Sequence, residues 1–323
     1  MGGTHRTGGT GTRSWSMVET MDASRLALPR IGVWTGALDM VPTAESVQLA
    51  AELESLGYGA VWLPEVAGRD VMAHLALLLS GTTHLVGATG IASIWARDAV
   101  TMKGAVSGLT EAFPERMVAG LGVSHHTLVE GLRGHHYGSP LASMAAYLDA
   151  MDAAPYTAFR PTTPLRRVLA ALGPKMLVLA AARTDGAHTY LVPPEHTGTA
   201  RATLGDAPLL CVEQAVLLET DPERAREIGR AHTAVYVRLP NYQANLRRLG
   251  FDDADFADGG SDRLVDAIVA WGDEAAILQR VGAQFAAGAD HVCIQALTPD
   301  PRGVPADQWR HLAPALGELA ASR

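Results

Sequence analysis

The chain has 323 residues, of which 48% are hydrophobic and 19% charged, and its formal net charge is −8. This balance predicts a large buried core and excludes a protein that binds nucleic acid through a basic surface. No apolar run reaches the roughly 18 residues of a membrane span. Cys211 and Cys293 lie in apolar runs, which is typical of buried thiols in a reducing compartment, so we predict a cytoplasmic protein.

The chain divides into an N-terminal extension and a repetitive remainder. Residues 1–29, rich in Gly and Thr, lack the apolar core of a signal peptide and predict a disordered extension. From residue 30 to 323 a short apolar run, a turn and an amphipathic helix repeat. The apolar runs predict strands at 31–36, 58–65, 84–91, 116–122, 166–173, 186–192, 208–219 and 289–297.

Eight strands alternating with helices favour an α/β fold with a parallel sheet, closed into a (β/α)8 TIM barrel. A doubly wound open sheet is the alternative, but it would carry a GxGxxG turn after the first strand, where the chain reads WTGALD. Two segments exceed what the repeat needs: 123–165 after strand four and 221–288 after strand seven. We predict that these insertions roof the active site or form an oligomer surface.

The carboxyl ends of the strands, where TIM barrels carry their chemistry, hold glycines and aromatic side chains, few acids and no lysine. A Schiff-base aldolase lacks its amine here, and a magnesium-dependent enolising enzyme lacks its acids. Glycine and flat apolar groups favour a large planar ligand whose phosphate is bound by backbone amides at a helix N-terminus.

Five segments resemble the bacterial luciferase-like superfamily, and within it the oxidoreductases that use the deazaflavin coenzyme F420. They are TGIASIWARD (89–98), RMVAGLGVSHH (116–126), LAALGPKM (169–176), DGAHTYLVPPEH (185–196) and GADHVCIQ (288–295). The resemblance runs from Ile31 to the C-terminus and implies hydride transfer between F420 and a small organic substrate. An FMN-dependent monooxygenase of the same superfamily, which would consume oxygen, is the alternative.

The resemblance also implies where the coenzyme ring binds. In the family the third strand ends in a non-prolyl cis peptide bond behind the deazaflavin ring, and the matching bond here joins Gly90 and Ile91. The next coenzyme contact falls on Ser93. Trp34, on the first strand, faces either the coenzyme pocket or a neighbouring helix.

The turn after strand five resembles the family's phosphate site. The amides around Leu172 and Gly173 would meet the phosphate at the N-terminus of a helix that Pro174 is suited to begin. An ordinary strand-to-helix turn is the alternative interpretation of Gly173.

Two residues are predicted to be catalytic. Glu65 ends a strand near the expected edge of the coenzyme, where an acid is either a pocket contact or a helix cap. His125 lies just past strand four, where some relatives place a proton-transferring group, and imidazole suits that work near neutral pH. His126, His135 and His136 lack the spacing and partners of a metal site, so we predict no metal.

We predict a small-molecule substrate and no nucleic-acid or membrane partner. The run at 70–81 is apolar on more faces than one covered helix needs, which predicts a homodimer. If that helix is sandwiched between barrel and insertion, a monomer is the alternative. Two further function classes stay open: a non-catalytic barrel that binds a flavin-like ligand, and an unrelated barrel isomerase or lyase.

Overall fold

Ten parallel-paired strands form the sheet in the computed structural model, which describes residues 28–322. The strands are β1 (Ile31–Trp34), β2 (Ala60–Leu63), β3 (Val86–Thr89), β4 (Ala92–Ser93), β5 (Met117–Gly122), β6 (Arg166–Ala170), β7 (Gly186–Thr189), β8 (Leu209–Leu218), β9 (Ala270–Gly272) and β10 (His291–Ala296). All except β4 and β9 belong to the barrel, which closes because β10 pairs with both β1 and β8. The predicted TIM barrel is confirmed.

Eight helices ring the barrel, and four more belong to the insertion after β8. The helices are α1 (Thr43–Ser55), α2 (Val71–Ser80), α3 (Ala99–Ala112), α4 (Pro140–Ala153), α5 (Pro174–Arg183), α6 (Pro194–Leu204), α7 (Pro222–Tyr236), α8 (Pro240–Arg248), α9 (Asp253–Phe256), α10 (Asp262–Ile268), α11 (Glu274–Ala286) and α12 (Ala306–Ala321). Short helical turns lie at Ala37–Met40, Thr127–Leu132 and Ala257–Gly259. The ring runs from α1 through α6 to α11 and α12, each helix in contact with the next, whereas α7 to α10 form the insertion.

Alternation along the strands builds two apolar layers. On β2, Val61 belongs to the core between sheet and helices, whereas Ala60 and Trp62 belong to the barrel interior. Cys211 and Cys293 are free thiols in that interior layer. The interior is therefore filled with side chains, which leaves its carboxyl end as the place for a site.

Every predicted strand is present, but seven of the eight end earlier at their carboxyl ends than the sequence predicts. The strand predicted at 84–91, for example, is β3 and stops at Thr89. The strand predicted at 186–192 is β7 and stops at Thr189, because Leu191 adopts a positive φ of 57°. The apolar pattern continues past the last paired residue because residues beyond it, such as Ala171, Leu191 and Val192, are still buried. The short strands β4 and β9 were not predicted.

The predicted extension, residues 1–29, lies outside the described residues except at its end. There Leu28 is buried in the barrel interior, and the Pro29 carbonyl accepts a hydrogen bond from His291 Nδ1. Residues 28 and 29 therefore pack with the barrel rather than with the extension. None of the helices between residues 28 and 322 combines the length and apolar character that a bilayer crossing requires.

The apolar helix α2 is largely covered within the chain itself. It contacts α1, α3 and β3, and its buried residues include Met72, Leu75 and Leu78. Leu77 remains 43% exposed. Most of the apolar excess at 70–81 is thus explained by packing, and the homodimer stays a prediction.

Candidate active site

The mouth of the barrel is bordered by half-buried residues that follow the strand ends. Trp34, the last residue of β1, lies at its centre: the indole Nε1 donates to the Gly90 carbonyl at 2.9 Å, and its ring centroid is 5.1 Å from that of Tyr190. Trp34 therefore packs in the barrel interior and against Tyr190 rather than against a neighbouring helix, and its contact with the coenzyme stays a prediction. The half-buried residues around it are Gly90, Ile91, Trp95, His125, Leu172, Gly173, Tyr190, Tyr236 and Gln295.

The Gly90–Ile91 peptide bond is cis, as predicted. Two glycines make room for this turn. A Cβ on Gly90 would lie 2.6 Å from Trp34 Nε1 and 3.2 Å from Trp62 Cβ, and a Cβ on Gly122 would collide with the Ile91 side chain. A side chain at either position would displace the wall of the mouth.

Glu65 is fully engaged by its neighbours. Its Oε2 accepts from the Ser93 amide at 2.9 Å, and both carboxylate oxygens bind the Arg97 guanidinium, which also bonds Asp70 Oδ2 at 2.6 Å. Burial alone would lower the pKa of Arg97, but its bonds to Glu65 and Asp70 outweigh that and raise the pKa. These contacts favour a role for Glu65 in holding Ser93 and the segment after the cis bond, rather than in moving protons.

His125 is the member of the four-histidine stretch that reaches the mouth. Its ring centroid is 5.8 Å from that of Tyr242, and burial lowers the pKa of His125 although a hydrogen bond with Asn241 opposes the shift. The imidazole is therefore neutral near pH 7 and able to accept a proton.

The other three histidines of the stretch have different neighbours from His125. His126 and His136 are exposed and lie 3.1 and 3.5 Å from Glu130, and the His135 ring is 6.1 Å from that of Trp95. Between residues 28 and 322 no group of three or more His, Cys, Asp or Glu side chains is arranged to hold a metal ion.

The predicted phosphate turn lies at the start of α5. Gly173 is its N-cap residue, Pro174 occupies the first turn, and no described side chain caps the helix. The Leu172 carbonyl accepts from His196 Nε2 at 2.9 Å, which fixes the turn. Pro174 has no N–H, and the Met176 and Leu177 amides donate to the Gly173 carbonyl. The Lys175 amide and the helix dipole are therefore what the start of α5 offers an anion.

A cation that the sequence did not reveal stands over this turn. Arg248, at the end of α8, places Nη2 3.7 Å from the position that a Cβ on Gly173 would take, and the same nitrogen donates to Asn245 Oδ1 at 3.0 Å. Nothing in the local sequence of α8 signals this proximity, because the insertion carries Arg248 back across the barrel.

A tyrosine cluster completes the mouth. The Tyr190 hydroxyl bonds Gln295 Oε1 and the Tyr236 hydroxyl, each at 2.8 Å, and Tyr242 packs with its ring centroid 5.1 Å from that of Tyr236. Tyr190 follows β7 and lies within the strand that the sequence predicts at 186–192. Tyr236 and Tyr242 come from the insertion and gave no signal of their own.

Glu213 lies beneath the cluster, on the interior face of β8. It is 1% exposed; Oε2 accepts from the Leu191 amide at 3.0 Å, and Oε1 has no hydrogen-bond partner among the described residues. Burial raises the pKa of Glu213 to about 8. The sequence pattern does not reveal this acid, because it lies inside an apolar strand.

The luciferase-like monooxygenase family profile matches residues 21–291. The chain therefore belongs to that family. Over 187 residues it is 28% identical to a protein of Mycobacterium tuberculosis assigned as a coenzyme F420-dependent oxidoreductase; the match covers 49% of this chain and only 54% of that protein.

Solved structures with the same fold include both F420 and FMN enzymes. An F420-dependent secondary alcohol dehydrogenase in complex with an F420-acetone adduct is 14% identical with a TM-score of 0.70, covering 89% of this chain and 99% of its own. The oxygenating constituent of a Pseudomonas putida 3,6-diketocamphane monooxygenase, in complex with FMN, is 14% identical with a TM-score of 0.67, covering 90% and 97%. At these identities the likeness establishes the fold.

Proposed function

We propose that the protein is an oxidoreductase that transfers a hydride between coenzyme F420 and a small organic substrate at the barrel mouth. The observation that carries the proposal is the pairing of two features across that mouth. On one side the Trp34–Gly90 contact and the cis peptide bond to Ile91 form a wall. On the other, Arg248 lies over the α5 N-terminus, an arrangement that supports binding of an anion.

The donor set fits a phosphate group. Apart from the chain neighbours of Gly173, the Arg248 guanidinium is the only group of residues 28–322 within 4 Å of a Cβ placed there, which leaves room for a ligand. The Lys175 amide and the positive end of the α5 dipole favour an anion, and Arg248 adds a charge-assisted donor. Leu172 and Gly173 would hold the phosphate of the coenzyme through their amides, and Pro174, which has no N–H to donate, would begin the helix behind it.

The opposite wall fits a flat ring. Gly90 and Gly122 lack side chains where a Cβ would displace Trp34 or Ile91, and Ser93 is held in place through Glu65. When bound, F420 supplies a two-electron hydride carrier. The protein's own part is to orient the substrate and exclude water, with His125 as the group that orients the substrate or moves a proton.

The choice of F420 over FMN is supported by the similarity of the sequence to the Mycobacterium tuberculosis protein assigned as a coenzyme F420-dependent oxidoreductase. FMN is also planar and carries a phosphate, and an FMN enzyme shares the fold. An FMN-dependent monooxygenase is therefore the second candidate.

Titration of the purified protein with oxidised F420 and, separately, with FMN tests the proposal, each followed by quenching of ligand fluorescence. We expect micromolar or tighter binding of F420 and much weaker binding of FMN. Preference for FMN, with oxygen consumed once reduced FMN and substrate are added, would favour the monooxygenase. Binding of neither would reject both.

A further inference from the structure

The hydroxyl of Tyr190 stands at the floor of the mouth between two partners. Tyr190 is half-buried, its ring lies 5.1 Å from Trp34, and its hydroxyl bonds both Gln295 on β10 and Tyr236 on α7. None of the predicted site residues takes part in these bonds. The mouth therefore holds a hydroxyl pair with no role in the proposed binding of the coenzyme.

These hydrogen bonds have a direction. The single proton of Tyr190 goes to Gln295 Oε1, which is an acceptor. Tyr236 must then donate its proton to the Tyr190 oxygen across their 2.8 Å contact. If the Tyr190 hydroxyl rotated, its proton would point to a ligand instead of to Gln295. Tyr236 would still donate its own proton to the Tyr190 oxygen.

The backbone after Tyr190 is held by a buried acid. Leu191 adopts φ 57°, a left-handed conformation that a branched side chain rarely takes. Its amide donates to Glu213 Oε2 at 3.0 Å. Because Glu213 cannot move within the packed interior, this bond fixes the turn that presents Tyr190 to the mouth, and Glu213 is a positioning residue.

The titratable groups around Tyr190 are shifted toward their uncharged forms. Burial raises the pKa of Tyr190, of Tyr242 and of Cys293, raises that of Tyr236 to about 12 and that of Glu213 to about 8, and lowers that of His232 to about 4. Trp34 and Gln295, which also contact Tyr190, do not titrate. Neutral donors in a poorly solvated site stabilise a developing oxyanion strongly, and the absence of fixed charge favours an uncharged substrate.

We propose that Tyr190 is a catalytic residue that binds the oxygen of an uncharged carbonyl compound, or of the corresponding alcohol. The proposal rests on the proposed function. If bound F420 supplied the hydride to the carbonyl carbon, the C=O π pair would form the new O–H bond with the Tyr190 proton. Tyr190 would then take the Tyr236 proton, and Tyr236 would regain one from water. Alcohol oxidation runs the same steps in reverse, and His125 is left to orient the substrate.

The test uses 4-nitrophenol, whose ionised form absorbs visible light, as a probe for a site that stabilises an oxyanion. Its binding and its pKa when bound are measured on the full chain, with and without F420, for wild type, Tyr190→Phe and Tyr236→Phe. Tyr58→Phe is the matched control. It also removes a buried hydroxyl hydrogen bond, which Tyr58 donates to the Trp309 carbonyl at 2.9 Å, but this bond lies away from the mouth. Melting temperatures confirm that each variant folds.

We expect wild type to bind the phenolate and lower the pKa of the probe. Tyr190→Phe should weaken that binding about tenfold, since it removes a hydrogen bond to the charged oxygen. Tyr236→Phe should weaken it by a smaller factor, since it removes only the hydrogen bond that Tyr190 receives from behind. Tyr58→Phe should bind like wild type. No binding by wild type, equal binding by Tyr190→Phe, or a loss seen only in His125→Asn would overturn the proposal.

F420 titration of the same proteins separates this proposal from the proposed function. Tyr190→Phe should bind F420 as wild type does. Failure of wild type to bind F420 would reject the proposed function while the phenolate measurements still decide the role of Tyr190.

Discussion

At the scale of single residues, Glu65 and Arg97 behave as one unit. Their side chains are only 6% and 8% exposed, and Glu65 also holds the Ser93 amide. Breaking a largely buried ion pair by removing one partner leaves the other charge without compensation. The loss of Glu65 and the loss of Arg97 should therefore have the same consequence.

A double-mutant cycle checks this pairing. Glu65→Gln and Arg97→Gln should each lower the free energy of unfolding by about 2 to 3 kcal/mol, and the double variant by little more than either. Urea unfolding measures all four proteins. The exposed pair Arg247–Asp253 is the matched control and should show almost no coupling. Strict additivity at Glu65 and Arg97 would contradict the pairing. Loss of turnover in Glu65→Gln but not in Arg97→Gln would point instead to proton transfer by Glu65.

Substitution of Gly90 tests the wall of the mouth that Trp34, Gly90 and Ile91 form. Its missing Cβ is needed because the atom would lie 2.6 Å from Trp34 Nε1. Gly90→Ala should lower the free energy of unfolding by about 1 to 3 kcal/mol, as overpacking does, and should weaken coenzyme binding. Gly104→Ala, in α3 with nothing within 4 Å of its Cβ, should instead stabilise the protein by about 0.5 to 1 kcal/mol. Thermal melting of the two variants would contradict this interpretation if both shifted in the same direction.

At the scale of elements, a Ser–His–Asp arrangement joins α1, α2 and the turn at Ala37–Met40. Ser46 Oγ lies 2.7 Å from His74 Nε2, and His74 Nδ1 lies 3.0 Å from Asp39 Oδ1. These distances match those of a hydrolase triad, but Ser46 is 0% exposed. The group therefore links two helices and does not meet a substrate.

Ser46→Ala should cost about 1 to 2 kcal/mol of stability, because it leaves a buried imidazole nitrogen without its partner. F420 affinity should not change. Treatment of wild type with a fluorophosphonate should label no serine, as measured by mass spectrometry; labelling of Ser46 would refute the structural role.

The elements also separate what the sequence could predict from what it could not. Apolar runs located all eight barrel strands, because a strand buried on both faces has no other pattern. The resemblance located Gly90 and the α5 turn, since both are local segments. Arg248 and Tyr236 could not be predicted from the sequence, because the insertion brings them to the mouth through tertiary packing. Glu213 could not be predicted because its neighbours in the sequence are apolar and indicate only a buried strand.

At the scale of the whole molecule, the barrel interior resists protonation. His188 and His291 are almost completely buried, and burial lowers the pKa of His188 to about 3 and that of His291 to about 4. His291 is held neutral with Nδ1 donating to Pro29 and Nε2 accepting from Trp62 at 2.9 Å. In the unfolded chain both histidines titrate near pH 6.5.

Stability should therefore fall as the pH drops below about 6.5, because the unfolded state then binds more protons than the native state. Each of the two histidines contributes about 1.4 kcal/mol per pH unit, a contribution that ends near its folded pKa. His291→Gln can keep both hydrogen bonds without titrating and should flatten the slope by about that amount. Urea unfolding between pH 6 and 5 measures it; an unchanged slope would show that His291 is protonated in the native state.

The whole site depends on the α5 N-terminus and Arg248 acting together on the coenzyme phosphate. The most direct measurement compares the F420 affinity of wild type, Arg248→Gln and Arg247→Gln by fluorescence titration. Arg247 is the neighbouring residue but bonds Asp253. Arg248→Gln should raise the Kd about tenfold, or about 1.4 kcal/mol, while Arg247→Gln leaves it unchanged. Equal affinity for all three proteins, or a loss only in Arg247→Gln, would contradict the proposed placement of the coenzyme.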